Sequence, residues 1–123
     1  MKSRRINSNL KGKRGEREWA NYCKMRELNV SRTAQHCGKH DPNAADCVGL
    51  PKIHQEIKRE EKLNIYKALC TAKEEAYSHS KKTGKNLIPI IAHRKNNQKW
   101  MVTMSADDWI NLYKNLNINF INT

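Results

Sequence analysis

The stretch that decides the fold of this chain reads Ala45-Asp46-Cys47-Val48-Gly49-Leu50-Pro51-Lys52-Ile53-His54-Gln55-Glu56-Ile57-Lys58. Gly49 and Pro51 are turn-forming residues, so they predict a tight turn between two segments. Residues 44–48 before the turn and residues 53–58 after it are predicted to be neighbouring strands. The turn would then bring Asp46 alongside the second of these strands.

Alternation along the second strand separates its apolar and charged side chains. Side chains two positions apart share a face of a strand, so Ile53 and Ile57 are predicted to point into the core. Glu56 and Lys58 would lie side by side on the opposite face, within reach of Asp46. Two carboxylates can hold a hard divalent cation, and a neighbouring ammonium group can orient a water. The pattern suits metal-assisted attack on a phosphodiester, but solvated surface charges also produce it.

The length and composition indicate one intracellular domain. A chain of 123 residues can bury a single modest core. No apolar run approaches the ~18 residues that span a bilayer, and no hydrophobic segment follows the basic start of the chain. We therefore expect a cytoplasmic protein with no membrane partner. The four cysteines match no closed zinc pattern and are expected to be reduced and buried.

The charge is strongly positive and unevenly distributed. The net charge is +12, of which residues 1–40 contribute +8 through 11 basic and 3 acidic residues. Such a field attracts polyanions and accelerates encounter with them. Nucleic acid is therefore the expected partner class. A basic protein without such a partner, and an adaptor for an acidic protein, remain open on composition alone.

Hydrophobic periodicity predicts eight elements in the order α-β-β-β-α-β-β-α, which is an α/β fold with a mixed central sheet flanked by helices. The predicted helices cover residues 13–28, residues 62–82 and a segment capped by Ser105, and the predicted strands cover residues 28–34, 44–48, 53–58, 87–92 and 100–104. We divide the chain into a flexible basic arm (1–10), a folded domain (11–116) and a frayed tail (117–123).

Glu16 lies on the inward edge of the first predicted helix. A carboxylate at such an edge is costly unless a cation or a metal ion meets it. Alternatively, Glu16 is a first-turn acid that complements the helix dipole. Position in the sequence leaves the two roles open.

The two later helices also have predicted faces. In the second helix, Ile65, Leu69, Ala72 and Ala76 form an apolar stripe, with Glu75 outside it and Gly84 as the stop signal. In the last helix, Trp109, Leu112 and Tyr113 are predicted to be buried.

Several of these residues together resemble the PD-(D/E)xK nuclease superfamily, and within it the archaeal-type Holliday junction resolvases and their phage-encoded relatives. The resemblance spans residues 11–105 and rests on Lys11-Gly12-x-x-x-Glu16-Arg17, on Asp46 and on Glu56-x-Lys58. It implies a restriction-endonuclease-like fold. Two features depart from the family pattern: Ala45 replaces the usual proline before the acid, and residues 71–73 hold no counterpart of a frequent glutamine.

The resemblance implies a function and a set of roles. Glu16, Asp46 and Glu56 would hold one or two Mg²⁺ ions, which Mn²⁺ could replace, and Lys58 would position or activate the attacking water. These four residues form the expected catalytic set. The DNA would be contacted by Arg32 as a phosphate clamp, and by Arg4, Arg5, Lys11, Lys13, Arg14, Thr33, Lys39 and His40.

The expected partner is branched double-stranded DNA, bound by a homodimer without a small-molecule cofactor, and the phage-encoded relatives suggest a phage or other mobile element as the source. Because phosphate contacts carry little sequence information, selectivity would depend on branch shape. Two alternatives stay open: a non-catalytic basic DNA-binding protein of the same fold, and a less selective DNA nickase.

Overall fold

Three helices and five strands make up the part of the chain that the computed structural model describes, residues 8–33 and 44–116. In chain order they are α1 (Ser8–Lys24), β1 (Ser31–Arg32), β2 (Cys47–Val48), β3 (Ile53–Arg59), α2 (Ile65–Thr83), β4 (Ile88–Arg94), β5 (Met101–Thr103) and α3 (Ala106–Lys114). The predicted order of elements and the predicted α/β class are confirmed.

The strands form one mixed sheet in the order β1-β2-β3-β4-β5. β3 and β4 are parallel and are joined by the crossover helix α2, whereas the other neighbours are antiparallel. Pro89 lies in β4 before the residues that pair with β5, and Ile88 N–H bonds to Lys52 on the β3 side. The missing N–H of Pro89 therefore falls on the unpaired side of the strand. β3 is the central strand of the sheet.

The first helix begins and ends earlier than the predicted range of 13–28. It includes Gly12 and Gly15, which are poor helix formers and favoured a later start. It ends at Lys24, and Glu27 adopts a left-handed conformation with φ of 68°. No glycine marks this end, so the sequence carried no stop signal there.

Gly49 forms the predicted turn between β2 and β3. Its φ is 114°, a conformation that L side chains rarely adopt. A Cβ atom at this position would lie 2.0 Å from the carbonyl oxygen of Asn29. The turn therefore requires glycine on both conformational and steric grounds.

The main core lies between α1 and one face of the sheet. Its buried members are Trp19, Ala20, Cys23, Val30, Cys47, Ile57 and Ala92. Gln55 points into the same layer, and the indole Nε1–H of Trp19 donates a 2.9 Å hydrogen bond to Gln55 Oε1. This bond satisfies part of a fully buried polar side chain and ties α1 to β3.

The other face of the sheet is covered by α2, which begins at the Asn64 cap and ends at Gly84 with φ of 74°. Ala72 and Ala76 are buried, as the predicted stripe requires. Glu75 is half-buried and faces the sheet with them, so its predicted position outside the stripe is wrong. It lies three positions after Ala72 and therefore shares that side of the helix. The face of β3 that carries Glu56 is consequently enclosed rather than exposed.

The last helix differs from its prediction. Ser105 caps it, because its hydroxyl oxygen accepts a 3.1 Å hydrogen bond from Asp108 N–H. Trp109, Leu112 and Tyr113 are nevertheless exposed, and α3 buries no residue within the described part of the chain. The apolar spacing is present, but no described element covers this face.

Within the described ranges, none of the helices has the length and apolar character needed to cross a membrane.

Candidate active site

The four predicted catalytic residues line one open cavity of about 480 Å³. Glu16 comes from α1, Asp46 from the residue before β2, and Glu56 and Lys58 from β3. Gly12, Ile57, Arg59 and Glu60 complete the wall. The fold therefore collects side chains that lie 42 positions apart in sequence, from Glu16 to Lys58, at one surface.

Backbone hydrogen bonds hold Asp46 in place. Its N–H donates to the carbonyl oxygen of Gln55 at 2.9 Å, and its Oδ2 accepts from the N–H of Ile57 at 2.9 Å. The two partners, Gln55 and Ile57, are the residues before and after Glu56 in β3. The Asp46 carboxylate is therefore fixed next to the Glu56 carboxyl. The β2–β3 pairing between Cys47 and Gln55 sets this register.

Glu16 lies in the middle of α1 and is paired with Arg32. Because α1 begins at Ser8, Glu16 is not in its first turn, and that alternative is wrong. Arg32 Nε lies 3.1 Å from Glu16 Oε1, and both side chains are largely buried. The cost of a carboxylate on the inward edge is thus offset at least in part by a guanidinium.

Thr33 anchors the segment that carries Asp46. Its hydroxyl donates to the carbonyl oxygen of Ala45, and its N–H donates to the carbonyl oxygen of Asp46 at 2.9 Å. The structure therefore brings the predicted DNA-contacting residues Arg32 and Thr33 next to the cavity, where each contacts the protein itself.

Glu56 is the most enclosed acid of the site. Burial, together with the nearby carboxyl groups of Asp46 and Glu75, raises its pKa to about 10. Burial lowers the pKa of His54, whose Nε2 lies 3.0 Å from Glu56 Oε1. Without a bound cation, Glu56 is therefore protonated and His54 neutral at pH 7.

Sequence reasoning missed two residues of this region, His54 and Glu75. His54 is 1% exposed, and its Nε2 lies 3.8 Å from Glu75 Oε1. Among the described residues, His54, Glu56 and Glu75 form a group whose ligand atoms all lie within 4.8 Å of one another. The available signals were the position of His54 on the face of Glu56 and the spacing of Glu75 from Ala72.

The predicted DNA-binding residues are only partly described. Arg14 is exposed on α1 and Lys13 is half-buried there. The side chain of Lys11 lies outside the described part of the chain, as do Arg4, Arg5, Lys39 and His40. The contacts of all nine predicted residues with DNA remain predictions.

The residues that line the cavity suit a hard divalent cation. Glu16, Asp46 and Glu56 present carboxyl oxygens, the ligands that Mg²⁺ and Mn²⁺ accept, and the cavity opens to solvent so that waters can complete the shell. A bound cation would also stabilise the carboxylates of Glu16, Asp46 and Glu56, because their mutual repulsion opposes ionisation of all three in its absence.

Comparison with known proteins identifies the fold. No protein-family model and no curated protein matches the sequence. The solved structure of Hjc, a Holliday junction resolvase from the archaeal hyperthermophile Archaeoglobus fulgidus, matches with a TM-score of 0.52 and 15% identity over 76% of each chain. The five-stranded mixed sheet and three helices are thus consistent with the restriction-endonuclease-like fold of Hjc.

Proposed function

We propose that this chain is a Mg²⁺-dependent, structure-selective endodeoxyribonuclease that hydrolyses phosphodiesters in branched DNA, with the Holliday junction as its substrate. The observation that carries the proposal is the convergence of Glu16, Asp46, Glu56 and Lys58 on one open cavity. The similarity in fold to a Holliday junction resolvase supports the choice of substrate. Mn²⁺ is expected to replace Mg²⁺, because both accept carboxylate oxygens.

Each residue of the cavity has a separate role in this proposal. Glu16, Asp46 and Glu56 would hold the metal ion, which would supply positive charge for activation of the attacking water. Lys58 orients the attacking water from the end of β3. The hydrogen bond from Ile57 N–H fixes the Asp46 carboxylate, so that this ligand is preorganised.

Basic side chains around the cavity would hold the DNA backbone. Lys13 and Arg14 lie on the same helix as Glu16, and Arg32 touches Glu16 directly. Phosphate contacts of this kind add affinity without reading bases, so the shape of the branch would determine selectivity. Junction affinity should therefore fall steeply with salt.

We further propose a homodimer, because two symmetric cuts across a junction require two active sites. Sedimentation equilibrium of the purified protein, alone and with a junction, tests this part separately. A single copy of the chain on each junction would contradict it.

The decisive experiment compares nicking of a synthetic four-way junction with nicking of a linear duplex of the same sequence, in Mg²⁺ and in EDTA. Asp46→Asn is the test variant. Asp107→Asn, an exposed first-turn acid of α3, is the control that changes the charge equally. We expect metal-dependent, junction-preferring cuts that are lost in Asp46→Asn and kept in Asp107→Asn.

The other outcomes each have a meaning. Equal cutting of both substrates would support nuclease activity but contradict selectivity for junctions, and would favour a less selective nickase. Tight junction binding without cutting in Mg²⁺ or Mn²⁺ would replace the proposal with a non-catalytic DNA-binding protein. Loss of binding in the same proportion as cutting in Asp46→Asn would remove Asp46 as a metal ligand.

A further inference from the structure

A second group of potential metal ligands lies behind the proposed cleavage site, between β3 and α2. His54 and Glu56 come from β3, and Glu75 comes from α2. His54 Nε2 is 3.0 Å from Glu56 Oε1 and 3.8 Å from Glu75 Oε1. The imidazole is 1% exposed, so it is held rigidly by the packing around it.

These separations are close to those of a coordination shell. Nitrogen and oxygen ligands bind Mn²⁺ or Zn²⁺ at about 2.0–2.2 Å, which places neighbouring ligand atoms about 3.0–3.5 Å apart. The His54–Glu56 distance already meets this requirement. The His54–Glu75 distance needs a shift of only a few tenths of an ångström in a long side chain.

Glu75 provides an independent observation. Its Oε1 is buried and has no hydrogen-bond partner among the described residues. A buried carboxylate oxygen without a partner costs free energy, and a cation beside His54 would remove that cost.

Two of the three residues also line a second cavity. Glu56 and Glu75 line a second cavity of about 340 Å³, on the α2 side, together with Lys58, Lys62 and Thr71. Glu56 therefore stands between two cavities. The second cavity opens to the two glutamates from the α2 side, whereas Glu16 and Asp46 line only the first cavity.

We infer that His54, Glu56 and Glu75 form an inner metal site, which shares Glu56 with the proposed catalytic site and takes a divalent ion that accepts mixed nitrogen and oxygen ligands. An imidazole in the shell favours Mn²⁺ or Zn²⁺ over Mg²⁺, whereas the outer carboxylates suit Mg²⁺. The inference adds a site to the proposed nuclease, but it depends only on the His54 cluster and not on DNA cleavage.

The test titrates Mn²⁺ into the protein in excess Mg²⁺, which fills the outer site. Mn²⁺ is preferred to Zn²⁺ as the probe because the exposed thiol of Cys70 is a ligand type that Zn²⁺ accepts more readily than Mn²⁺ does. The free ion is followed by its electron paramagnetic resonance signal. Broadening of the His54 imidazole resonances in nuclear magnetic resonance spectra reports an ion near His54. Because Glu56 also lines the outer cavity, the dependence of this broadening on Glu75 and its persistence in Asp46→Asn assign the ion to the inner site.

We expect one Mn²⁺ to bind per chain with loss of the His54 imidazole signals. Glu75→Gln should weaken this binding by more than the ~10–100-fold that loss of an outer-shell partner costs. Glu74→Gln, which changes an exposed neighbour on the same helix, is the matched control and should bind like the parent. His54→Asn identifies the resonances and should also lose the ion.

The inference fails if Mn²⁺ leaves the His54 signals unchanged, or if Glu75→Gln binds as tightly as Glu74→Gln. Thermal unfolding of each variant distinguishes loss of a metal ligand from loss of the fold. If His54→Asn does not fold, Glu75→Gln still tests the inference. Asp46→Asn should still bind Mn²⁺ at His54. The cleavage assay alone would thus contradict the nuclease proposal. The Mn²⁺ titration alone would contradict the inner metal site.

Discussion

Arg32 Nε lies 3.1 Å from Glu16 Oε1, which pairs the predicted phosphate clamp with a predicted metal ligand. Each side chain would otherwise face the opposite charge on the substrate or the cation. The ion pair therefore stabilises the protein in the absence of DNA and metal. Binding of DNA and of metal would each compete with this contact.

Replacing Arg32 with alanine should change metal affinity and DNA affinity in opposite directions. Metal affinity should rise, by at most about fivefold, because a partly exposed ion pair contributes about 0–1 kcal/mol. Junction affinity should fall, because a phosphate contact is lost. Isothermal titration with Mg²⁺ measures the metal affinity, and a gel-shift assay measures the junction affinity. Lys99→Ala, which removes an exposed positive charge just before β5, is the control for charge. If both affinities fall together, Arg32 does not compete for Glu16.

Replacing Lys58 with alanine should impair turnover much more than metal binding. Lys58 is half-buried at the wall of the cavity, where it can contact a water but cannot ligate a cation. Single-turnover cleavage rates should fall by about 10²-fold or more, as for a lost acid–base group. Lys73→Ala, an exposed lysine of α2, is the control. Equal cleavage by Lys58→Ala and the parent would exclude Lys58 from the mechanism.

The pKa of Glu56 predicts a pH dependence of stability in the metal-free protein. Its folded pKa is about 10 against an ordinary value of 4.5, so between these values the folded state holds a proton that the unfolded state has released. The contribution of Glu56 to stability is complete below pH 4.5 and is lost as the pH rises towards 10. The free energy of unfolding should therefore fall as the pH rises through this range.

Glu56→Gln should lack this loss, because glutamine does not titrate. Urea unfolding of both proteins in EDTA across this pH range gives the comparison. The variant should become the more stable of the two as the pH rises. Parallel pH profiles would show that Glu56 is ionised in the folded protein.

Two glycines of α1 should respond oppositely to alanine. A Cβ atom on Gly12 would meet nothing within 4 Å, so Gly12→Ala should stabilise the protein by about 0.5–1 kcal/mol. A Cβ atom on Gly15 would lie 2.8 Å from Arg59 Cβ, so Gly15→Ala should destabilise it by about 1–3 kcal/mol. Thermal unfolding of the pair measures both, and changes of the same sign would contradict the packing of α1 on β3.

Local signals in the sequence were sufficient for much of the fold. Gly49 predicted its turn, Gly84 ended α2 and Ser105 capped α3, because each effect depends on the residue's own backbone or side chain. Alternation in β3 placed Ile57 in the core and Glu56 on the opposite face. The beginning of α1 was missed because its glycines obscured a helix that packing on the sheet stabilises.

The candidate site could be predicted only in part, because its remaining members depend on packing between distant elements. The spacing of Glu75 from Ala72 and the position of His54 on the face of Glu56 show which face each residue shares, but not that α2 packs on this face of β3 and buries His54 there. Arg32 was expected to face DNA, but its contact with Glu16 follows from the position of β1 beside α1. Trp109 was predicted to be buried but is exposed, because an apolar pattern on a helix does not determine whether another element packs against it.

The hydrogen bond from Trp19 to Gln55 provides the protein with an internal optical reporter. Gln55 is next to Glu56 in β3, and the Trp19 indole is buried against Tyr22 and Trp100. A shift of β3 when Glu56 takes up an ion would change the polarity around this indole and so its emission wavelength. Trp109, exposed on α3, would contribute a red-shifted background that a Trp109→Phe variant removes. The remaining emission comes from Trp19 and from Trp100, which packs against it. Ion uptake at the centre of the sheet could then be followed in real time without an added label.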